Sequence, residues 1–187
     1  AFHGHGNLHR FGNGFYNLPR QFGRPHQAAA VAGIGNFGHG TAHVDVDEVG
    51  TGDYFGPITV AAAYVESSKI PLLKELGVRD SKNVKDPEIL QIAAQLKHAV
   101  PFTLLSLDNV KYNALQSKGM SQGKIKAYLH NLALKKLIEK IQPAIADGVL
   151  IDQFAKPDVF FGYLKDQEMF QAKNIYLSTG GESIHVS

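Results

Sequence analysis

Apolar and polar positions along the chain change period several times, and each change predicts an element. Residues 44–48, Val44 to Glu48, run from a β-prone lead-in straight into the adjacent acids Asp47 and Glu48 and read as a first strand. "PITVAAAYVE", residues 57–66, is apolar almost throughout, as expected of a central strand covered on both faces. The loop between them carries Gly50, Gly52 and Gly56, so the two runs are expected to pair antiparallel. "SSKIPLLKELG" predicts a short helix or turn closing at Gly77, followed by a polar loop. A helix then starts with Asp86 placed to cap, Pro87 at the first helical position and Glu88 complementing the dipole. Ile89, Ile92, Ala93 and Leu96 form its apolar stripe, and Pro101 ends it.

"FTLLSL", residues 102–107, predicts a third strand, and "NVKYNALQSKG" a short helix ending at Gly119. The longest helix is expected over 121–141. Ile125, Leu129, Leu132, Leu134, Leu137, Ile138 and Ile141 give its buried face, and Lys124, Lys126, Lys135, Lys136 and Lys140 lie on solvated faces. "GVLID", residues 148–152, follows as a short buried strand. Arriving after a long helix, it is expected to be a parallel crossover partner. Residues 157–164 read as one more helix, and "AKNIYLST" as a last strand running toward Glu182. Three strands joined antiparallel plus parallel ones, flanked by helices, make an α/β fold with a mixed sheet.

Residues 1–43 show no such period. They hold no Asp, Glu or Lys, three arginines (Arg10, Arg20, Arg24), six histidines and many Gly and Asn. They are expected to form a disordered Gly/His-rich leader, with the domain boundary near His43. A His-rich metal-binding or RNA-contacting tail is the alternative, but no acid or Cys there completes a metal site. Setting the three arginines apart leaves 16 of the 19 basic residues against 17 acids, so the body of the chain is nearly neutral. The net charge of +2 is too small to point to nucleic acid by itself. With no cysteine there is no disulfide and no thiolate metal site; a cytoplasmic, monomeric protein with no membrane association is expected.

The chemistry lies at the strand ends. Asp47 and Glu48 close the first strand, Asp152 the fourth, and Glu182 follows the fifth. Adjacent residues on a strand point to opposite faces, so at least one of Asp47 and Glu48 must meet a polar site, a metal or water. Carboxylates converging without His or Cys suit an oxygen-loving Mg²⁺ or Mn²⁺, and a glycine turn brings backbone N–H groups close to an anion. A pair of such ions can hydrolyse a phosphodiester. Plainer roles exist for each acid: Asp152 capping the next helix, Glu182 decorating a turn, Asp47 and Glu48 lying on an edge strand. The glycines lack the strand and helix context of a dinucleotide or kinase phosphate loop.

"DEVGTGDYFGPITVAAAYV", "GVRDSKNVKD", "KYNALQSKG", "LHNLALKKLIEKI" and "LIDQFAKPD" closely resemble the type 2 ribonucleases H, and among them bacterial ribonuclease HIII. The resemblance implies a ribonuclease H-like domain over 44–187 that hydrolyses the RNA strand of RNA/DNA hybrids with two Mg²⁺ or Mn²⁺ ions, leaving 5′-phosphate and 3′-hydroxyl ends. It implies that Asp47, Glu48, Asp152 and Glu182 are the catalytic, metal-holding acids. Gly50, Thr51 and Gly52 match the family's loop on the substrate backbone, and Ser81 and Lys82 a substrate-contacting segment. The alternative is an inactive or weakly active hybrid-binding remnant of the same fold.

The chain departs from that pattern in a few places. Residues 1–43 do not resemble the family's N-terminal substrate-binding domain, which predicts weaker hybrid affinity. "TGGE" has Gly180 where the family usually carries Lys. The apolar helices that continue the family's pattern after its last acid are missing after "ESIHVS", so the domain reads as shortened at its C-terminus. Asp45 is an extra carboxylate where a small residue is usual.

Overall fold

The computed structural model describes residues 42–51, 56–79 and 81–178, and for Lys82 and Ser178 the backbone alone. Strands β1 (Ala42–Val49), β2 (Ile58–Glu66), β3 (Phe102–Leu107), β4 (Gly148–Asp152) and β5 (Ile175–Ser178) form one sheet in the order β3-β2-β1-β4-β5. The β1–β2 and β2–β3 pairs are antiparallel, and the β1–β4 and β4–β5 pairs parallel. The expected mixed sheet is therefore present, with β1 at its centre rather than at an edge. The last strand is shorter than expected: it begins at Ile175, while Asn174 is spent on tying the chain to the start of β4. Its carbonyl accepts the Val149 N–H at 2.9 Å, and its side-chain amide donates to the Asp147 carbonyl at 2.8 Å.

The period of two sorts the strands into two faces. Val44, Val46, Val60, Ala62, Leu105, Leu107, Val149 and Ile151 share one face and one core. Helix α4 (Gln122–Ile141) lies over this face against β1, β2 and β3, with α5 (Pro157–Leu164) beside it and α3 (Asn109–Ser117) nearby. Ile125, Ala127, Leu129, Ala133, Leu134, Leu137 and Ile141 of α4 are buried. Each fully buried aliphatic side chain contributes about 1.5–3 kcal/mol relative to exposure. On the opposite face, Ala63 and Val65 of β2 pack with Leu73 of α1 (Ile70–Glu75), Ile92 and Leu96 of α2 (Asp86–Ala99), and Val100.

Local chemistry accounts for the helix starts. The Ser121 hydroxyl accepts the Lys124 N–H at 3.2 Å and begins α4; Asp108 does the same for α3, accepting from Lys111 at 2.8 Å. One expected cap is corrected: Lys85 occupies the cap position of α2 and makes no side-chain bond there, and Asp86 is already helical. Pro87 and the two acids of the first turn carry that helix start instead. The first described strand, β1, starts at Ala42. Of the leader expected over 1–43, residues 1–41 lie outside the described residues.

Candidate metal centre at the strand ends

Asp47 and Asp152 are brought side by side by the register of the sheet. In the parallel β1–β4 pair, Val44 faces Val149, Asp45 faces Leu150 and Val46 faces Ile151. The next residue on each strand is an acid, Asp47 on β1 and Asp152 on β4, and parallel neighbours in register point to the same face. Both are half-buried at the C-terminal ends of adjacent parallel strands, where sites form in open α/β sheets. Asp47 also orders the strand end, its Oδ1 accepting the Glu48 N–H at 2.6 Å.

Glu48 points the other way, onto the face of Val44 and Val46 that α4 covers. Its Oε1 pairs with the Lys126 ammonium, and its Oε2 lies 2.8 Å from His130 Nε2. With a carboxylate as partner, that ring nitrogen carries the hydrogen and donates it. The side chains of Glu48, Lys126 and His130 are only 7%, 13% and 0% exposed. Burial pushes the Glu48 carboxyl up, but the His130 hydrogen bond and the Lys126 charge outweigh it and hold the group below the usual Glu range. Phe154, in the loop leaving β4, closes the cluster. Lys126 Nζ lies 4.2 Å from its ring centre, and the His130 ring stands edge-on to it at 5.2 Å.

The loop after β1 is fixed by its first glycine. Gly50 has φ +89°, and a Cβ there would come within 2.5 Å of the Pro57 carbonyl oxygen. The Thr51 carbonyl accepts a hydrogen bond from the Gln122 side chain at 3.0 Å, tying this loop to the N-terminal turn of α4. Ser81 lies elsewhere, in a 3₁₀ turn over 81–83 between Val78 and Val84, which pack on the opposite sheet face. Gly52 and Glu182, and the side chain of Lys82, fall outside the described residues.

Two of the plainer roles for the acids are not what the structure has. Asp47 and Glu48 are on the central strand, and the helix after β4 starts at Pro157 with Lys156 in the cap position and no side-chain cap bond, so Asp152 does not cap it. The expectation that no histidine stands near the acids is corrected by His130, and Lys126 lies inside the cluster rather than on a solvated helix face. One sequence signal marks both. Glu48 shares the strand parity of Val44 and Val46, so it must be buried, and a buried acid requires a donor on the covering helix; Lys126 and His130 are one turn apart on that helix.

Among the described residues no group of three or more His, Asp and Glu side chains is gathered closely enough to hold an ion. Asp47 and Asp152 are a pair, Glu48 is turned to the other face, and Glu182 is not described. The donors are nonetheless hard carboxylate oxygens, as a Mg²⁺ or Mn²⁺ site requires. Among the described residues no helix is long and apolar enough to cross a membrane.

The family model described as Ribonuclease HII matches residues 44–187. The chain belongs to the ribonuclease HII family. Ribonuclease HIII of Bacillus mycoides (strain KBAB4) is 52% identical over 162 residues, covering 87% of this chain and 51% of that relative. A solved structure of Bst-RNase HIII in complex with Mn²⁺ is 42% identical with a TM-score of 0.75, covering 86% of this chain and 51% of that one. The ribonuclease H2 from Pyrococcus horikoshii OT3, 18% identical with a TM-score of 0.61 over 76% of this chain and 64% of that one, shares the fold. The chain spans about half the length of the curated relatives it matches.

Proposed function

We propose that the chain is a metal-dependent endoribonuclease that hydrolyses the RNA strand of RNA/DNA hybrids. The observation that carries this reading is the placement of Asp47 and Asp152 side by side at the ends of two central parallel strands, in a chain of the ribonuclease HII family. Asp47 and Asp152 would hold the divalent ion, joined by Glu48 and Glu182. Mg²⁺ or Mn²⁺, when bound, would polarise the phosphodiester and activate a water. The finer form of the proposal is hydrolysis with two such ions, leaving 5′-phosphate and 3′-hydroxyl ends.

The chain's own groups do the positioning. The turn at Gly50 presents the backbone of Gly50 and Thr51 just beyond Asp47, suited to a substrate phosphate, and the bond from Gln122 holds Thr51 in place; Gly52 is proposed to join them. Ser81 and Lys82 are proposed to contact the hybrid from their separate segment. Selection of RNA over DNA would come from the ribose 2′-hydroxyl.

A second reading, a hybrid-binding module that cuts nothing, draws on Glu48, whose two oxygens are both engaged by α4. One assay separates the two: cleavage of an end-labelled RNA/DNA hybrid and of an all-DNA duplex, with Mg²⁺ or Mn²⁺, by the chain and by Asp152→Asn. The nuclease reading expects cleavage of the hybrid alone, abolished by chelator and lowered at least about 100-fold in Asp152→Asn. Hybrid binding with no cleavage supports the second reading, and cleavage that survives Asp152→Asn contradicts the first.

A further inference from the structure

His130 is out of place among the inward residues of α4, most of which are aliphatic. Its side chain is 0% exposed, Nε2 is committed to Glu48, and Nδ1 is buried with no hydrogen-bond partner. Lys126, one helical turn earlier, takes the other Glu48 oxygen. A buried charge pair is a poor source of net stability, and a well-packed apolar set of the same volume often serves as well. What two donors on one carboxylate do provide is a fixed rotamer and a fixed carboxylate plane.

The cluster also reaches the second acid-bearing strand. Phe154 stands two residues beyond Asp152, and its ring sits against both Lys126 and His130 while packing on Phe160 at 5.8 Å. Helix α4 therefore holds Glu48 of β1 by two polar contacts. Through Phe154 it holds the loop by which the chain leaves Asp152 of β4. Acids from two strands are set against one rigid element.

We propose that Lys126 and His130, buttressed by Phe154, are positioning residues that fix Glu48 at the end of β1 and, through the Glu48 N–H that Asp47 accepts, hold the Asp47 carboxylate beside Asp152 for the divalent ion. The inference rests on the metal-dependent reading above. Neither residue touches substrate; both act through Glu48.

The test is calorimetric titration of the full chain with Mn²⁺, counting the uptake that is lost in Asp47→Asn, together with steady-state cleavage of the hybrid. His130→Ala is expected to weaken that uptake about 10–100-fold and to lower kcat with KM for the hybrid unchanged. His130→Gln, which restores an N–H donor, is expected to recover most of both. Phe154→Leu keeps apolar bulk and leaves His130 in place. It covers the case in which His130→Ala fails to fold, and is expected to weaken Mn²⁺ uptake about 10-fold. If His130→Gln and Phe154→Leu take up Mn²⁺ like the unaltered chain and His130→Ala loses only thermal stability, the inference is overturned and the metal-dependent reading stands. If the unaltered chain takes up no more Mn²⁺ than Asp47→Asn, both are overturned together.

Discussion

Asp47 and Glu48 are joined by one peptide bond, yet they belong to different environments. Asp47 leaves the sheet beside Asp152, half-buried, two like charges on neighbouring strands. Glu48 turns to the covered face, where a lysine and a histidine satisfy both of its oxygens. Like charges held close together are a cost to the fold, and folds retain such costs mainly at sites of function. A buried acid with matched donors contributes to the fold only while its donors remain. The two neighbours should therefore respond unequally to neutralisation, and this difference can be measured without any substrate.

The largest expected effect is on stability. Glu48→Ala leaves the Lys126 ammonium and the His130 ring buried without their partner and should cost about 3–5 kcal/mol in denaturant unfolding. Asp152→Asn in the same experiment should cost clearly less, because it relieves the repulsion between the two strand-end acids and keeps a polar side chain in place. Equal losses at the two positions would break the comparison.

A smaller effect sharpens it by pH. The folded Glu48 carboxyl titrates below its ordinary value, so its stabilisation is fully present above the ordinary Glu pKa of about 4.3 and is lost as pH falls through the lower, folded one. Unfolding of the unaltered chain should steepen over that acid window, and Glu48→Gln should flatten it. The smallest effect is a control on an exposed acid. The backbone N–H of Lys111 pulls the Asp108 carboxyl below the usual Asp range, so its contribution also disappears in acid. Asp108→Ala should cost about 1 kcal/mol at neutral pH, and that difference should shrink below about pH 3.9. A steep acid limb that survives Glu48→Gln but vanishes in Asp108→Ala would assign the acid sensitivity to the wrong region.

Much of this architecture was legible in the chain. Strands β3 and β4 and helix α5 fall where the apolar runs and prolines place them, because short buried strands and a proline-started helix each leave a local signature. The mixed connectivity followed from a glycine loop on one side of β1 and a long helix before β4. The acid pair was legible because strand ends can be read off once the strands are known. The Glu48 cluster was legible only in part: the parity of Glu48 with Val44 and Val46 calls for a buried donor, but helix periodicity marks Lys126 and His130 only as positions flanking an apolar stripe. Their burial follows from how α4 crosses the end of β1, a long-range fact that no local window carries. The cap of α2 lies one residue before Asp86 for a local reason: Asp, Pro and Glu in succession suit either the cap or the first turn, and the backbone has them in the turn.

The most direct test of the whole account is anomalous diffraction from crystals of the full chain soaked in Mn²⁺. Manganese density is expected against the carboxylates of Asp47 and Asp152 at the ends of β1 and β4. Manganese found only on the histidines of residues 1–43, or none at the strand ends, would contradict it.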